Sequence, residues 1–212
     1  AGTLSKDSGI LRIEMGADDT LAGRLEAVSG LLELVGVEGQ SFNLDLVGVL
    51  SGSQVSLGTN IYVTAGNESK TATVTAAELL KLSGGVLEII NASVEAKGLS
   101  FSSSNSSLFL HGGSLTIGSE KITGSTGTLE LGGGTLKSSA AWSTTHVAVL
   151  SATGSDATTI DTTGGDITLS GNLSNKSGVA SVNLVKSGSG VLELGGGNAS
   201  LSGNIKVTGG TL

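Results

Sequence analysis

A five-residue unit of the form Gly-x-Leu-x-apolar recurs along the 212-residue chain and restricts the folds open to it. It stands at Gly9-Ile-Leu-Arg-Ile13, Gly30-Leu-Leu-Glu-Leu34, Gly85-Val-Leu-Glu-Ile89, Gly127-Thr-Leu-Glu-Leu131 and Gly190-Val-Leu-Glu-Leu194, with Glu in fourth place in all but the first. The starts are 21, 55, 42 and 63 residues apart, and all but the 55-residue gap are multiples of 21. A second marker keeps the same interval: Gly112-Gly-Ser-Leu115 and Gly133-Gly-Thr-Leu136 lie 21 residues apart, and Gly209-Gly-Thr-Leu212 repeats the form. Self-similarity at a fixed period of this size is the signature of a stacked repeat architecture.

Within each unit the alternation has period two, so Leu192 and Leu194 point one way and Glu193 the other, as on a half-buried strand. Ser114-Leu-Thr-Ile117, Asp166-Ile-Thr-Leu169, Ser181-Val-Asn-Leu184 and Asn204-Ile-Lys-Val207 alternate in the same manner between Gly, Ser and Asn punctuation. A 21-residue unit is too short for a strand plus a covering helix, and the asparagine-centred signature of leucine-rich repeats is not seen. The expected object is an all-β solenoid of about ten coils, each of two or three short strands, roughly 48 Å long at the usual strand spacing.

Composition supports layers of small aliphatic residues rather than one centre of large rings. Only five aromatics occur, Phe42, Tyr62, Phe101, Phe109 and Trp142, and the 35 glycines come with no proline, so they read as turns rather than as a collagen-like or disordered tract. Eleven basic against eighteen acidic residues give a net charge of −7, and Arg12 and Arg24 are the only arginines. That distribution lacks the clustered basic footprint of a nucleic-acid binder and disfavours anionic lipid. No apolar run approaches the roughly 18 residues of a spanning helix, so no membrane insertion of this segment is expected. The absence of cysteine removes disulfides, thiol catalysis and Cys-ligated metals.

Two stretches interrupt the rhythm. The 55-residue gap exceeds two periods, and an insertion is expected over 59–84: Ile61-Tyr-Val-Thr64 and Thr71-Ala-Thr-Val74 flank the polar Gly66-Asn-Glu-Ser-Lys70 and read as a hairpin. Thr75-Ala-Ala-Glu78 then has the form of a capping box, compatible with one helical turn or a plain strand. The second stretch, 138–161, holds Trp142 and His146 and reads as an irregular loop or outlying coil. Because recognition concentrates in loops, Tyr62, Trp142 and His146 are the candidate ligand contacts.

Catalytic chemistry is thinly represented. Lys186-Ser-Gly-Ser-Gly190 lacks the spacing of a phosphate-binding loop, and Glu193 stands where a dinucleotide fingerprint needs its third glycine. Asp156, Asp161 and Asp166 read as turn caps rather than a calcium site, and His111 and His146, neither within four residues of a carboxylate in the sequence, read as polar turn residues. Glu33, Glu88, Glu130 and Glu193 are expected at one register as solvent-facing charges that block edge pairing. No catalytic residue, cofactor or metal is therefore expected. A polysaccharide-acting enzyme would need two convergent carboxylates, and an ice-binding solenoid a flat threonine array of which only isolated pairs are legible.

The final segment, Ser189-Gly-Val-Leu-Glu-Leu-Gly-Gly-Gly-Asn-Ala-Ser-Leu-Ser-Gly-Asn-Ile-Lys-Val-Thr-Gly-Gly-Thr-Leu212, resembles the autotransporter-associated β-strand repeat, also called the passenger-associated transport repeat. Leu192, Leu194, Gly203, Val207, Gly209, Gly210 and Leu212 occupy the family's positions, whereas Ala199-Ser-Leu-Ser-Gly-Asn204 departs from its Tyr-Thr-Gly-Gly-Thr centre and the earlier units match only in part. The resemblance implies a right-handed parallel β-helix, exported through the outer membrane of a Gram-negative-type bacterium to the cell surface or medium. The chain begins Ala1-Gly-Thr-Leu4 and ends Gly209-Gly-Thr-Leu212, as interior repeat junctions would, so a piece of a longer passenger is expected. The expected role is a structural or adhesive stalk that displays loops or distal domains. Expected partners are host or surface glycans or proteins, and other copies of the chain through its terminal coils.

Overall fold

A computed structural model describes residues 2–198 and 200–212. Among them there is no helix; 22 strands stack in parallel into a β-solenoid. The strands fall into an eleven-stranded, an eight-stranded and a three-stranded sheet. Each coil presents three faces, because the chain turns two corners and bends once within a strand.

The first face carries the file that counts the coils. Thr3, Arg24, Val49, Thr73, Ser93, Ser114, Thr135, Thr159, Val185 and Lys206 are successive parallel partners, ten positions for ten coils. The steps between them are 21, 25, 24, 20, 21, 21, 24, 26 and 21 residues. The period of about 21 is the closely wound coil, and longer coils absorb their extra residues at corners and, between Ala27 and Leu31, in a bulge.

Long strands such as Arg24–Gly36 and Ala92–Phe101 serve two faces at once. A bulge divides each of them, between Ala27 and Leu31 and between Ala96 and Gly98, and the extra residues bend the strand around the core. Beyond Ser114–Thr123 the bend gives way to separate short strands: Trp142–Thr144, Ile167–Leu169 and Leu192–Leu194 form the three-stranded sheet and continue the second face. Thr144 Oγ1 ties this sheet to the coil before it by donating to the Ile122 carbonyl at 2.7 Å.

Every face sends alternate residues inward. On the third face Val63, Leu87, Leu108 and Leu129 stack, and beside them Ala65, Ile89, Leu110, Leu131 and Leu150, all buried. On the first face the inward file is Leu50, Val74, Val94, Leu115, Leu136 and Ile160, and then Lys186, which is fully buried. That lysine is accommodated because Nζ donates to the carbonyls of Ser187, Gly188 and Gly209 at 2.8, 3.0 and 2.9 Å. A buried ammonium without such partners would be strongly disfavoured.

The paired glycines of the second marker are corners. Gly113 and Gly134 have φ of +60° and +62°, a left-handed conformation that glycine adopts without steric cost, and a Cβ on Gly134 would sit 2.6 Å from the Gly112 carbonyl oxygen.

Several local expectations are corrected. The hairpin over 59–84 does not form: Ile61–Ala65 lies on the third face between Phe42–Leu46 and Val86–Ile89, whereas Ala72–Leu82 lies on the first and second faces. Gly66 to Lys70 is a corner, closed by mutual backbone bonds between Asn67 and Lys70. Thr75 to Glu78 is strand, the plain alternative of the two its sequence left open. The stretch 138–161 supplies core strands, Trp142–Thr144, Ala148–Leu150 and Thr158–Asp161. On the outer side of the first face, Thr73, Ser93, Ser114, Thr135 and Thr159 form a hydroxyl file over five consecutive coils, longer than the sequence pairs suggested. The adjacent file carries Glu95, Lys137 and Asp161, which interrupt any uniform array.

Candidate functional site

The Gly-x-Leu-x-apolar units do not share one register. Those at Gly9, Gly30 and Gly190 lie on the second face, and those at Gly85 and Gly127 on the third. The expected stripe of Glu33, Glu88, Glu130 and Glu193 is therefore split. Glu33 stacks on Arg12, whose guanidinium bonds it at 2.6 Å, and Glu193 stacks on Thr168, which donates at 3.2 Å. Glu88 and Glu130 do share a file on the third face, but with Phe109 between them.

That file is the centre of a polar cluster spanning successive coils. One position beyond Ile89, Leu110, Leu131 and Leu150 on their strands stand Ile90, His111, Gly132 and Ser151, where each strand turns its corner. His111 Nδ1 lies 2.9 Å from Glu88 Oε1 and its Nε2 lies 3.3 Å from Glu130 Oε1. A carboxylate can only accept, so both contacts are hydrogen bonds when the ring carries both protons. Phe109 stacks on the same imidazole, with centroids 5.7 Å apart and planes 13° from parallel.

Gly132 makes this placement possible. A Cβ there would fall 2.5 Å from His111 Cδ2 and 2.6 Å from Ser151 Oγ, so any side chain would push both off Glu130.

Glu130 is the buried member, 3% exposed. Its Oε1 accepts from Ser151 Oγ at 2.7 Å and from Lys176 Nζ at 2.9 Å as well as facing His111. Burial alone would raise its pKa; hydrogen bonds from Ser151, Lys176 and His111, with the lysine charge, more than offset this and hold it below the ordinary carboxylate value. At the other end Tyr62 donates its hydroxyl to Glu88 Oε2 at 2.7 Å. Burial first, then that bond and the nearby charges of Glu88 and Glu130, push the phenol pKa up.

Of the expected contacts, only Tyr62 reaches this cluster. Trp142 and His146 are core residues, 6% and 4% exposed. Trp142 stacks on Ile167 within the three-stranded sheet, and His146 lies flat against Phe101 with centroids 4.4 Å apart. His146 Nδ1 bonds the Gly124 carbonyl at 2.8 Å and so donates, while its Nε2 and Trp142 Nε1 have no partner. Neither ring can meet a ligand without the coil opening.

The aspartates do not converge either. Asp161 caps its own turn through Thr163, whose hydroxyl bond holds its pKa low, and Asp166 Oδ1 accepts the Val191 N–H at 2.7 Å. Among the described residues no group of three or more His, Cys, Asp or Glu is arranged to hold a metal ion.

Comparison with protein-family models, with curated proteins and with solved structures finds no match. Sequence reasoning missed Phe109, His111, Ser151 and Lys176. The available signal was the coil itself: Ser151 lies 21 residues beyond Glu130, and His111 lies 23 and 19 residues from its two carboxylates, one coil to each side.

Proposed function

We propose that the chain is a rigid, non-enzymatic segment of an exported surface passenger of autotransporter type, a stalk that holds its outer faces and corners, or further domains, away from the cell. The observation that carries this reading is the unbroken parallel register over ten coils, from Thr3 to Lys206, around one aliphatic column. In such an array each coil is stabilised by its neighbours, so the whole resists bending as a unit. The resemblance of residues 189–212 to the passenger-associated repeat supports the export route, and the lack of cysteine suits a chain that crosses a membrane unfolded.

The test is a fusion of this chain between a secretion signal and an outer-membrane β-barrel in a Gram-negative host. The expected result is surface display, with the fused chain digested by protease added to intact cells. Retention inside the cell, or release of reducing ends from polysaccharides by the purified chain, contradicts the reading.

A further inference from the structure

The third face carries something a stalk does not require. Of the five aromatic residues, Phe42, Phe101 and Trp142 are buried, whereas Tyr62 and Phe109 remain partly exposed. Both stand on the outer side of this face, on alternate strands with Val86–Ile89 between them. Tyr62 pairs with Val86 and Phe109 with Glu88, so the two positions lie two strands apart along the axis, roughly 10 Å, and two residues apart along the strand, roughly 7 Å. Between and beside them lie Glu88, the His111 imidazole and the half-exposed ammonium of Lys176.

We propose that Phe109, Tyr62, His111 and Glu88 form a binding strip for a neutral or amino-sugar-containing polysaccharide laid obliquely across the third face. Aromatic rings that keep one face in water bind best to a flat partner with apolar C–H groups and a polar rim, which describes a pyranose. The two positions are therefore roughly 12 Å apart on a diagonal of the face, within reach of one extended oligosaccharide that crosses the face obliquely. Each Glu88 oxygen meets one protein donor, Tyr62 or His111, and so keeps acceptor capacity for sugar hydroxyls. Glu88 and Glu130 face Lys176 and, when its ring carries both protons, His111, so the strip is locally balanced, and it is the net charge of −7 on the chain that disfavours uronate and sulfate groups and admits neutral sugars or protonated amines. The strip is an open sheet surface rather than a cleft, so it takes the interior of a chain and not its end. The proposal rests on surface display as the setting in which such a chain is met.

The experiment titrates the full chain with cellohexaose and with a chitosan hexamer, followed by amide chemical shifts, with a heparin hexasaccharide as the anionic comparison. Both uncharged and amino-sugar oligomers are expected to shift resonances of the third face, and Phe109→Ala to weaken binding at least about tenfold. Phe109→Leu, which keeps apolar volume but removes the ring face, shows the same loss in a folded protein. Thr135→Ala on the first face leaves binding unchanged. No binding of either oligomer at about 10 mM, binding by Phe109→Leu equal to the native chain, or preference for heparin overturns the strip. Failure here leaves the stalk reading standing, since that is decided by the barrel fusion.

Discussion

Replacing Glu130 by Gln keeps its volume and removes its charge, and the cost follows from what surrounds it. The side chain is 3% exposed and accepts from Ser151 and Lys176 at 2.7 and 2.9 Å, with His111 at 3.3 Å. A hydrogen bond involving a charged group contributes about 1.5–3 kcal/mol. Lys176 is half exposed, however, and recovers most of its solvation when the partner is lost, so the three contacts do not add. The expected cost is about 1.5–2.5 kcal/mol, read as a shift in urea midpoint at constant slope.

The same bonds fix the pH dependence. The folded-state pKa of Glu130 is depressed, so its contribution is fully present above the unfolded value of about 4.3 and fades as pH falls through the folded value. Native and Glu130→Gln chains should therefore differ fully at about pH 5.5 and progressively less as pH falls below about 4.3. A midpoint difference under about 0.5 kcal/mol, or one unchanged across that interval, would refute the reasoning.

Three further outcomes are expected. Gly132→Ala should cost about 1–3 kcal/mol by overpacking and, more tellingly, abolish the coupling between His111 and Glu130 in a double-mutant cycle. Lys186→Met keeps the core filled but strands the carbonyls of Ser187, Gly188 and Gly209, and should cost about 2–4 kcal/mol in urea unfolding; a neutral result would mean that water replaces the ammonium. Trp142 is the only tryptophan, so native fluorescence should be blue-shifted and weakly quenched by acrylamide, and a solvent-like native emission would contradict its place in the core.

The sequence made the column legible and the site illegible for the same physical reason. Period-two alternation identifies Leu87, Leu108 and Leu129 as inward because parity depends only on neighbours within one strand. Which face a strand occupies depends on where bulges and corners fall, and Gly-Val-Leu-Glu encodes a turn followed by a strand on any face. Gly85 and Gly190 therefore carry the same unit on different faces, and the apparent insertion before Gly85 dissolves into two longer coils and the step from the second face, where Gly30 lies, to the third. Trp142-Ser-Thr144 is too short for alternation to declare it a strand. Parity placed Lys186 inward with Val182 and Leu184, against its charge, and three carbonyls decide the matter in favour of parity. His111 sits between carboxylates that are near only once the coil length is known.

The stacking of coils in parallel register is most directly tested by distances along one file. The chain has no cysteine, so spin labels can be placed singly at Thr73, Thr159 and Lys206. Thr73 and Thr159 are four strand steps apart and Thr73 and Lys206 six, which predicts narrow backbone separations of about 19 and about 29 Å. Broad distributions, or separations that do not grow in proportion to the number of coils, would contradict the solenoid.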